Sequence, residues 1–519
     1  MTSFISAGNA RRFCATVGAF FLFAWAGMAA AQPGSVDTSY GSGGSYVSGV
    51  ALGDSVRALA LQSDNKAILA GNCNSVSPAT SFCVTRLTAS GTVDTSFNGT
   101  GKAFVTMGSS SSSLESVVIQ PDGKIVVAGN CTVSSAPRWC VARIMPDGTM
   151  DASFGAGGKA YFAVFTGAGQ SSSAAAVAVQ SGKLLVAGTC TSSASDAAVC
   201  AIRVNADGTQ DVPWTSGGFA SSGKPFHVLT ARRIVVLNDG RFLIASNDVD
   251  TFNLSPSRFN LTRFLANGTV DSAYGNSQFH PGHLVPTMSN GSNTVFSVAL
   301  QPDDKVVMAG RCESTANDGD FKFCMARATQ NGDPLNNIPR VDFALVLSAH
   351  NSLIPNKPVH VALQGDGRIV LAGTCREFPE FSMTLAETVC VRRYWPTGAF
   401  DDSLAEAPNP AATLAATADG GVVVQRDGKI LVAGATISPT DKTAMRFIGG
   451  PLSYRTCSLD MDGDGVTTAT IDGLISTRVM LGLTGTAVTT GITFPAAATR
   501  SNWTSIRNFL VTHCEMNLP

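Results

Sequence analysis

The chain has 519 residues, with 36 Lys+Arg against 37 Asp+Glu and a net charge of −1. That balance excludes the basic field a nucleic-acid partner requires. Only 14% of residues are charged and 44% are hydrophobic, with 52 Gly, which excludes long disorder and favours short strands joined by tight turns.

The first element in the chain, residues 1–31, reads as a signal peptide. Arg11 and Arg12 form its basic start, Val17 to Ala26 its apolar stretch, and Ala29-Ala30-Ala31 its cleavage site. The apolar stretch is too short for a membrane anchor, and no later segment is long and apolar enough to span a bilayer. The mature chain is therefore expected to be exported, extracellular or periplasmic, and to carry no transmembrane segment.

Residues 32–450 carry a repeat. The segment Ile119 to Gly129, apolar run, Asp-Gly turn, apolar run, returns as Leu61–Gly71, Val179–Gly188, Leu237–Ser246, Leu300–Gly310, Leu363–Gly373 and Val424–Gly434. Its closing positions are spaced 58, 59, 58, 64, 63 and 61 residues apart. Each copy has the signature of a β-hairpin. After each hairpin comes an Arg, at 86, 143, 203, 263, 327, 393 and 446. An Asp-x-Ser-aromatic element follows, as in Asp94–Phe97 and Asp151–Phe154 and, with Ala273 in the Ser place, Asp271–Tyr274; degenerate forms start at Asp211, Asp333 and Asp401. Recurrence in every copy marks the Arg and Asp as architecture rather than catalysis. The aromatics are expected to anchor the core between units.

The repeat is out of phase with the ends. Asp37–Tyr40 precedes the first hairpin, whereas the seventh hairpin reaches Arg446 without its own Asp-x-Ser-Phe. The expected fold is all-β, a seven-bladed β-propeller closed by the N-terminal half-repeat, because closure also removes the exposed edges of an open array. Gln120-Pro121-Asp122-Gly123-Lys124 with its Val-Ala-Gly ending, Val141-Ala142-Arg143 and Asp151-Ala152-Ser153-Phe154-Gly155 resemble the delta-60 repeat, a bacterial β-propeller-like family. The resemblance covers about residues 34–450 and implies a repeat architecture on secreted or surface proteins, with no established chemistry.

Thirteen cysteines become twelve once Cys14 leaves with the signal, an even count that fits disulfides in an exported chain. The spacing couples Cys73 with Cys83, Cys131 with Cys140, Cys190 with Cys200, Cys312 with Cys324, Cys375 with Cys390, and Cys457 with Cys514. Copy four has Asp248 and Asn260 at the cysteine positions, and copy seven has Thr436 and Thr443. Both partners vanish together, as bonding partners should.

Residues 451–519 form a separate, small α-helical module. Asp460, Asp462 and Asp464 take positions 1, 3 and 5 of a calcium loop, with Gly465 at the turn and the Val466 carbonyl at position 7. Position 12 is Ile471, so Asp472, one place later, is the expected closing carboxylate of an EF-hand-like loop. Helices are expected over Gly473–Leu481, with Leu474, Ile475 and Leu481 packing, and over Ser501–Val511, with Trp503, Ile506 and Leu510 on one face. The module resembles one half of a dockerin, which normally carries two such loops. Calcium is the implied cofactor.

No Gly-x-Ser-x-Gly block, phosphate loop or zinc-protease helix occurs, and Gly53-Asp54-Ser55 reads as a strand start. The copies differ most at Asp248–Arg258, Gln278–Asn293, Asn336–Pro358 and Arg376–Thr388. Candidate ligand-binding residues are therefore Phe279, His280, His283, Arg340, Arg376 and Glu377. The expected function is a monomeric, non-catalytic binding or adhesion protein for a glycan, surface or protein ligand. The alternative is a secreted hydrolase or lyase built from non-repeated loops.

Overall fold

The computed structural model describes residues 33–47, 55–73, 81–108, 112–167, 169–193, 196–215, 218–275, 281–286, 288–313, 321–329, 341–346, 357–377, 386–404, 417–435, 442–449, 461–462, 468–495 and 498–513. All lie in one compact unit, Gln32–Pro519. The expected signal peptide lies outside the described residues, and no described helix is long and apolar enough to cross a membrane.

The fold is mostly β, and the hairpin copies distribute over six sheets among the described residues, antiparallel within each copy. In the second copy the strands Ser112–Ile119, Ile125–Val133, Ala136–Ile144 and Lys159–Phe162 pair in chain order. Copies three and four share one sheet only through a single parallel bridge, Ala197 to Val228. The last sheet recruits the N-terminus: Ser45–Val47 pairs with Lys442–Phe447, Tyr46 opposite Ala444. Sequence-adjacent copies pack face to face. One core cluster joins Val127 and Ile144 of copy two to Ile68 and Phe82 of copy one. Another joins Tyr40, Leu431 and Ala433 to Val56 and Leu69 of copy one.

The hairpin turn is built as its sequence requires. Asp122 Oδ1 accepts the Lys124 amide at 3.2 Å, and Gly123 takes φ 82°, a region open to glycine without strain. The Gly that closes Val-Ala-Gly has a different reason. A Cβ on Gly129 would sit 2.0 Å from the Ser113 carbonyl oxygen, where the neighbouring inner strand bulges between Leu114 and Ser116.

Six of the seven recurring Arg residues pair with a motif Asp among the described residues. Arg Nε donates to Asp Oδ2 at 2.7–2.8 Å in Arg86–Asp94, Arg143–Asp151, Arg203–Asp211, Arg263–Asp271, Arg393–Asp401 and Arg446–Asp37. The same guanidinium reaches one copy onward. Arg143 Nη1 donates to Ala206 O at 2.7 Å, and Arg446 Nη1 donates to Ala89 O of the first copy at 2.7 Å. Its plane lies over the motif aromatic, 4.6 Å from the Phe154 centroid for Arg143 and 4.5 Å from Tyr40 for Arg446. Tyr40, Phe97 and Phe154 are fully buried, as expected of core anchors.

Five disulfides form, Cys73–Cys83, Cys131–Cys140, Cys190–Cys200, Cys312–Cys324 and Cys375–Cys390, each joining adjacent strands with Cα atoms 5.7–6.0 Å apart. Cys457 and Cys514 lie outside the described residues. Copy four replaces the staple with polar contacts. Asp248 accepts from Lys224 Nζ at 2.7 Å and pairs with His227 Nδ1 at 2.6 Å, while Asn260 Nδ2 donates to Ser246 Oγ at 2.9 Å.

Three helices follow the sheets among the described residues: α1, Asp472–Met480; α2, Thr486–Thr489; and α3, Trp503–His513. Their core holds Met461, Ile475, Val479, Val488, Ile506, Phe509 and Leu510, with Trp503 packed at its edge. The expected packing face of α1 needs correction. Leu474 is 36% exposed and Leu481, one residue past the helix, is 75% exposed. Ile475 packs as expected, and Val479, four residues on along the same face, packs with it.

Candidate functional site

The inner strand of each hairpin places one residue at the same repeat position, four before the motif Gln (Leu237 in copy four). These residues are Ala58, Ser116, Ala176, Arg233, Ser297, His360 and Gly421, and all seven line one cavity of ≈200 Å³. Small residues dominate, so Arg233 and His360 stand out. The bulge residue beside this position adds Glu115 to the lining and places Arg232 next to Arg233.

This site is cationic and sparsely neutralised. Arg233 Nη1 donates to the Arg232 carbonyl at 2.9 Å, and neither arginine makes an ion pair among the described residues. Arg232 lies 5.6 Å over the Phe296 ring, and its Nε has no hydrogen-bond partner. Burial lowers the Arg233 pKa, the Glu115 charge opposes that, and the Arg232 charge adds to it. His360 is only 4% exposed, and its Nε2 has no hydrogen-bond partner. Burial first, and then the Arg233 charge, push His360 down to about 3 against the opposing pull of hydrogen bonds with the Asp419 and Ala418 backbone, so the imidazole is neutral at physiological pH.

The residues singled out from loop variation are arranged differently. Phe279, His280 and Arg340 lie outside the described residues. Arg376 and Glu377 continue the strand Ile369–Glu377, opposite Glu387 and Ala386. His283 is a buried strand residue rather than a loop residue. Its Nε2 lies 2.8 Å from Ser222 Oγ and its Nδ1 3.0 Å from Thr262 Oγ1, so protein groups occupy both nitrogens. Asp248 is committed to Lys224 and His227, although Phe252 and Leu254 beyond it are 75% and 87% exposed. The cavity residues escaped sequence reading because they sit in inner strands, where one differing residue looks like ordinary drift.

In the helical tail, Asp460, Asp464 and Val466 lie outside the described residues. Asp472 opens α1 and gathers the loop. Its Oδ1 accepts the Met461 amide at 2.6 Å and the Asp462 amide at 3.2 Å, and its Oδ2 accepts the Thr468 amide at 2.7 Å. Burial would raise the Asp472 pKa, but these amides outweigh it and hold the carboxyl below its usual value. The Asp462 backbone is thus brought onto Asp472. Asp462 and Asp472 are the expected ligands among the described residues, which hold no cluster of three or more possible metal ligands; as carboxylates the two suit a hard cation.

Comparison with known proteins is consistent with this architecture. A family described as a domain of unknown function (DUF5122) beta-propeller matches residues 62–97, 120–154 and 180–212, which supports a β-propeller repeat family for this stretch. No curated protein matches. Among solved structures, a protein of unknown function from Dyadobacter fermentans DSM 18053 is similar at 12% identity and TM-score 0.39, over 78% of this chain and 99% of that one. Polysaccharide lyase Uly1 aligns at 10% identity and TM-score 0.39, over 79% and 93%. Drosophila Semaphorin 1b, extracellular domains 1-2, aligns at 9% identity and TM-score 0.37, over 83% and 89%.

Proposed function

We propose that the protein is an exported, non-catalytic binding protein. In this reading the seven hairpin copies are blades of one closed propeller, the 200 Å³ cavity is its channel, and a calcium-binding tail follows. Five disulfides accord with an oxidising, non-cytoplasmic compartment. The observation that carries the binding reading is the convergence of the odd residues of an otherwise small-residue position, Arg233 and His360, on one cavity. General acid–base catalysis works best with a group whose pKa lies near the working pH, and a histidine at about 3 is far from it. Phe279, His280 and Arg340, with Arg376 and Glu377 at a strand end, are proposed as the outer rim of the ligand surface.

The tail would hold calcium through Asp460, Asp462, Asp464, the Val466 carbonyl and Asp472, with Cys457 and Cys514 tying its ends. A second reading, a secreted hydrolase or lyase, draws on the Glu115 carboxylate at the same cavity. A glycan and secreted-protein binding screen, with and without chelator, tests the first reading. Chromatography of each bound glycan after incubation tests the second: unaltered ligand supports binding, and cleaved ligand replaces it with catalysis.

A further inference from the structure

We infer that the cavity recognises a hydroxylated monocarboxylic acid about the size of one sugar unit, with Arg233 taking the carboxylate and His360 a hydroxyl. This rests on the binding reading above and specifies its ligand. Arg233 carries five N–H donors, yet among the described residues it bonds one neighbouring carbonyl and has no carboxylate partner. A guanidinium fork facing a cavity pairs best with a planar carboxylate, which accepts two parallel bonds.

His360 supplies the second half. A buried imidazole nitrogen without a partner carries a desolvation cost that a ligand can relieve. Because the ring is neutral, Nε2 is either donor or acceptor according to tautomer, and a hydroxyl serves both. Ser116 Oγ accepts the Val177 amide at 3.2 Å, which leaves its hydrogen free to donate into the same space. Ser297 lines the same cavity.

Charge and size narrow the class. Glu115 acts on both arginines and disfavours a dianion such as sulfate. A volume of ≈200 Å³ falls below the roughly 300–1,000 Å³ typical of drug-sized pockets, which leaves room for one small unit. Both a sugar acid and an open-chain hydroxy acid have this chemistry.

Calorimetric titration of the full mature chain tests the inference with D-glucuronate, D-gluconate, D-glucose, the methyl ester of glucuronate and inorganic sulfate. The expected result is binding of at least one of the two acids, with glucose and the ester weaker by about tenfold or more, the loss of one charged hydrogen bond. The preferred acid then names the source, cyclic or open-chain. Arg233→Gln should erase the preference for acid over ester, and His360→Phe should weaken the acid without erasing that preference. The ester needs no variant, so the comparison survives a substitution that fails to fold. Equal binding of acid and ester, or tightest binding of sulfate, overturns the inference. So does failure of both acids to bind, and in each case the broader screen still decides whether the protein is a binder. Cleavage of a bound uronide would instead overturn the non-catalytic reading and leave the acid site standing.

Discussion

Arg446 donates its Nε hydrogen to Asp37 Oδ2 at 2.8 Å, although 409 residues separate them. Five other copies make the same bond over a separation of 8, as in Arg143 to Asp151. The N-terminal motif thus stands where the seventh copy would have had its own. Asp37 further accepts from Ser39 and Lys429, as Asp151 does from Ser153 and Lys124. Gln425 Nε2 adds a bond to Asn65 O of the first copy at 3.3 Å.

Asp37→Asn should therefore cost about 3–5 kcal/mol, since it leaves a buried guanidinium without its counter-charge. Asp151→Asn should cost a similar amount, but with a different symptom. Losing Asp37 should release the strand Ser45–Val47 from Lys442–Phe447, because the chain does not otherwise connect them locally. Hydrogen exchange at the Ala444 and Arg446 amides, which face the N-terminal segment, should accelerate in Asp37→Asn and stay protected in Asp151→Asn. Equal protection in both variants would remove the case for closure through the N-terminus.

Stability should fall with acid in two windows. Burial would raise the carboxyls of Asp37, Asp94 and Asp151, but hydrogen bonds from Ser39, Ser96 and Ser153 and the paired cations bring each to about 2. A depressed carboxyl makes the unfolded chain bind more protons, so this stabilisation is full above about pH 4 and is lost toward pH 2. His360 acts higher. With its folded pKa near 3 against an ordinary 6.5, the unfolded chain takes up its proton first, and stability declines as pH falls from 6.5 toward 3. Thermal melts from pH 7 to 2 should show both declines. His360→Phe should flatten only the upper one, and a wild-type melting temperature unchanged between pH 6.5 and 4.5 would contradict the assignment.

Much of this was readable because the repeat presents each contact several times. Cys131 and Cys140 could be coupled because copies four and seven lose both positions, and the phase of Asp37–Tyr40 pointed to the last sheet. The cavity was not readable in the same way. Arg233 and His360 lie 127 positions apart, and only the packing of the inner strands brings them to one space. Loop length misled in the other direction. His283 follows an irregular stretch, yet its ring is absorbed by Ser222 and Thr262. Lys224 carries no repeat signal at all, so its pairing with Asp248 could not be inferred from the missing cysteine.

Two glycines should respond very differently to alanine. Gly129→Ala places a Cβ 2.0 Å from a backbone oxygen in the bulged neighbour strand, and both strands would have to shift. A loss of about 2–4 kcal/mol is expected, the scale of backbone and core disruptions. Gly157→Ala meets nothing within 4 Å and pays only for its φ of 63°, about 1 kcal/mol. Urea unfolding of the two variants measures the difference. Comparable losses would mean that the Val-Ala-Gly ending is kept for its turn preference and not for the close approach.

The tail gives the last test, because Asp472 and the other acids should separate under calcium. Asp472 holds the Met461, Asp462 and Thr468 amides in the protein itself, so Asp472→Ala should loosen α1 with or without the ion. Asp460→Asn and Asp464→Asn should matter only when calcium is present, if those side chains are ligands. Hydrogen exchange across α1 and α3 in the full chain reads both effects. At free calcium about 100-fold above its dissociation constant, binding adds about 2.7 kcal/mol of protection, which chelator should remove. Protection that is identical in calcium and chelator would reduce the loop to an Asp-Gly turn. In that case Asp472 would remain a capping carboxylate that gathers amides and binds no ion.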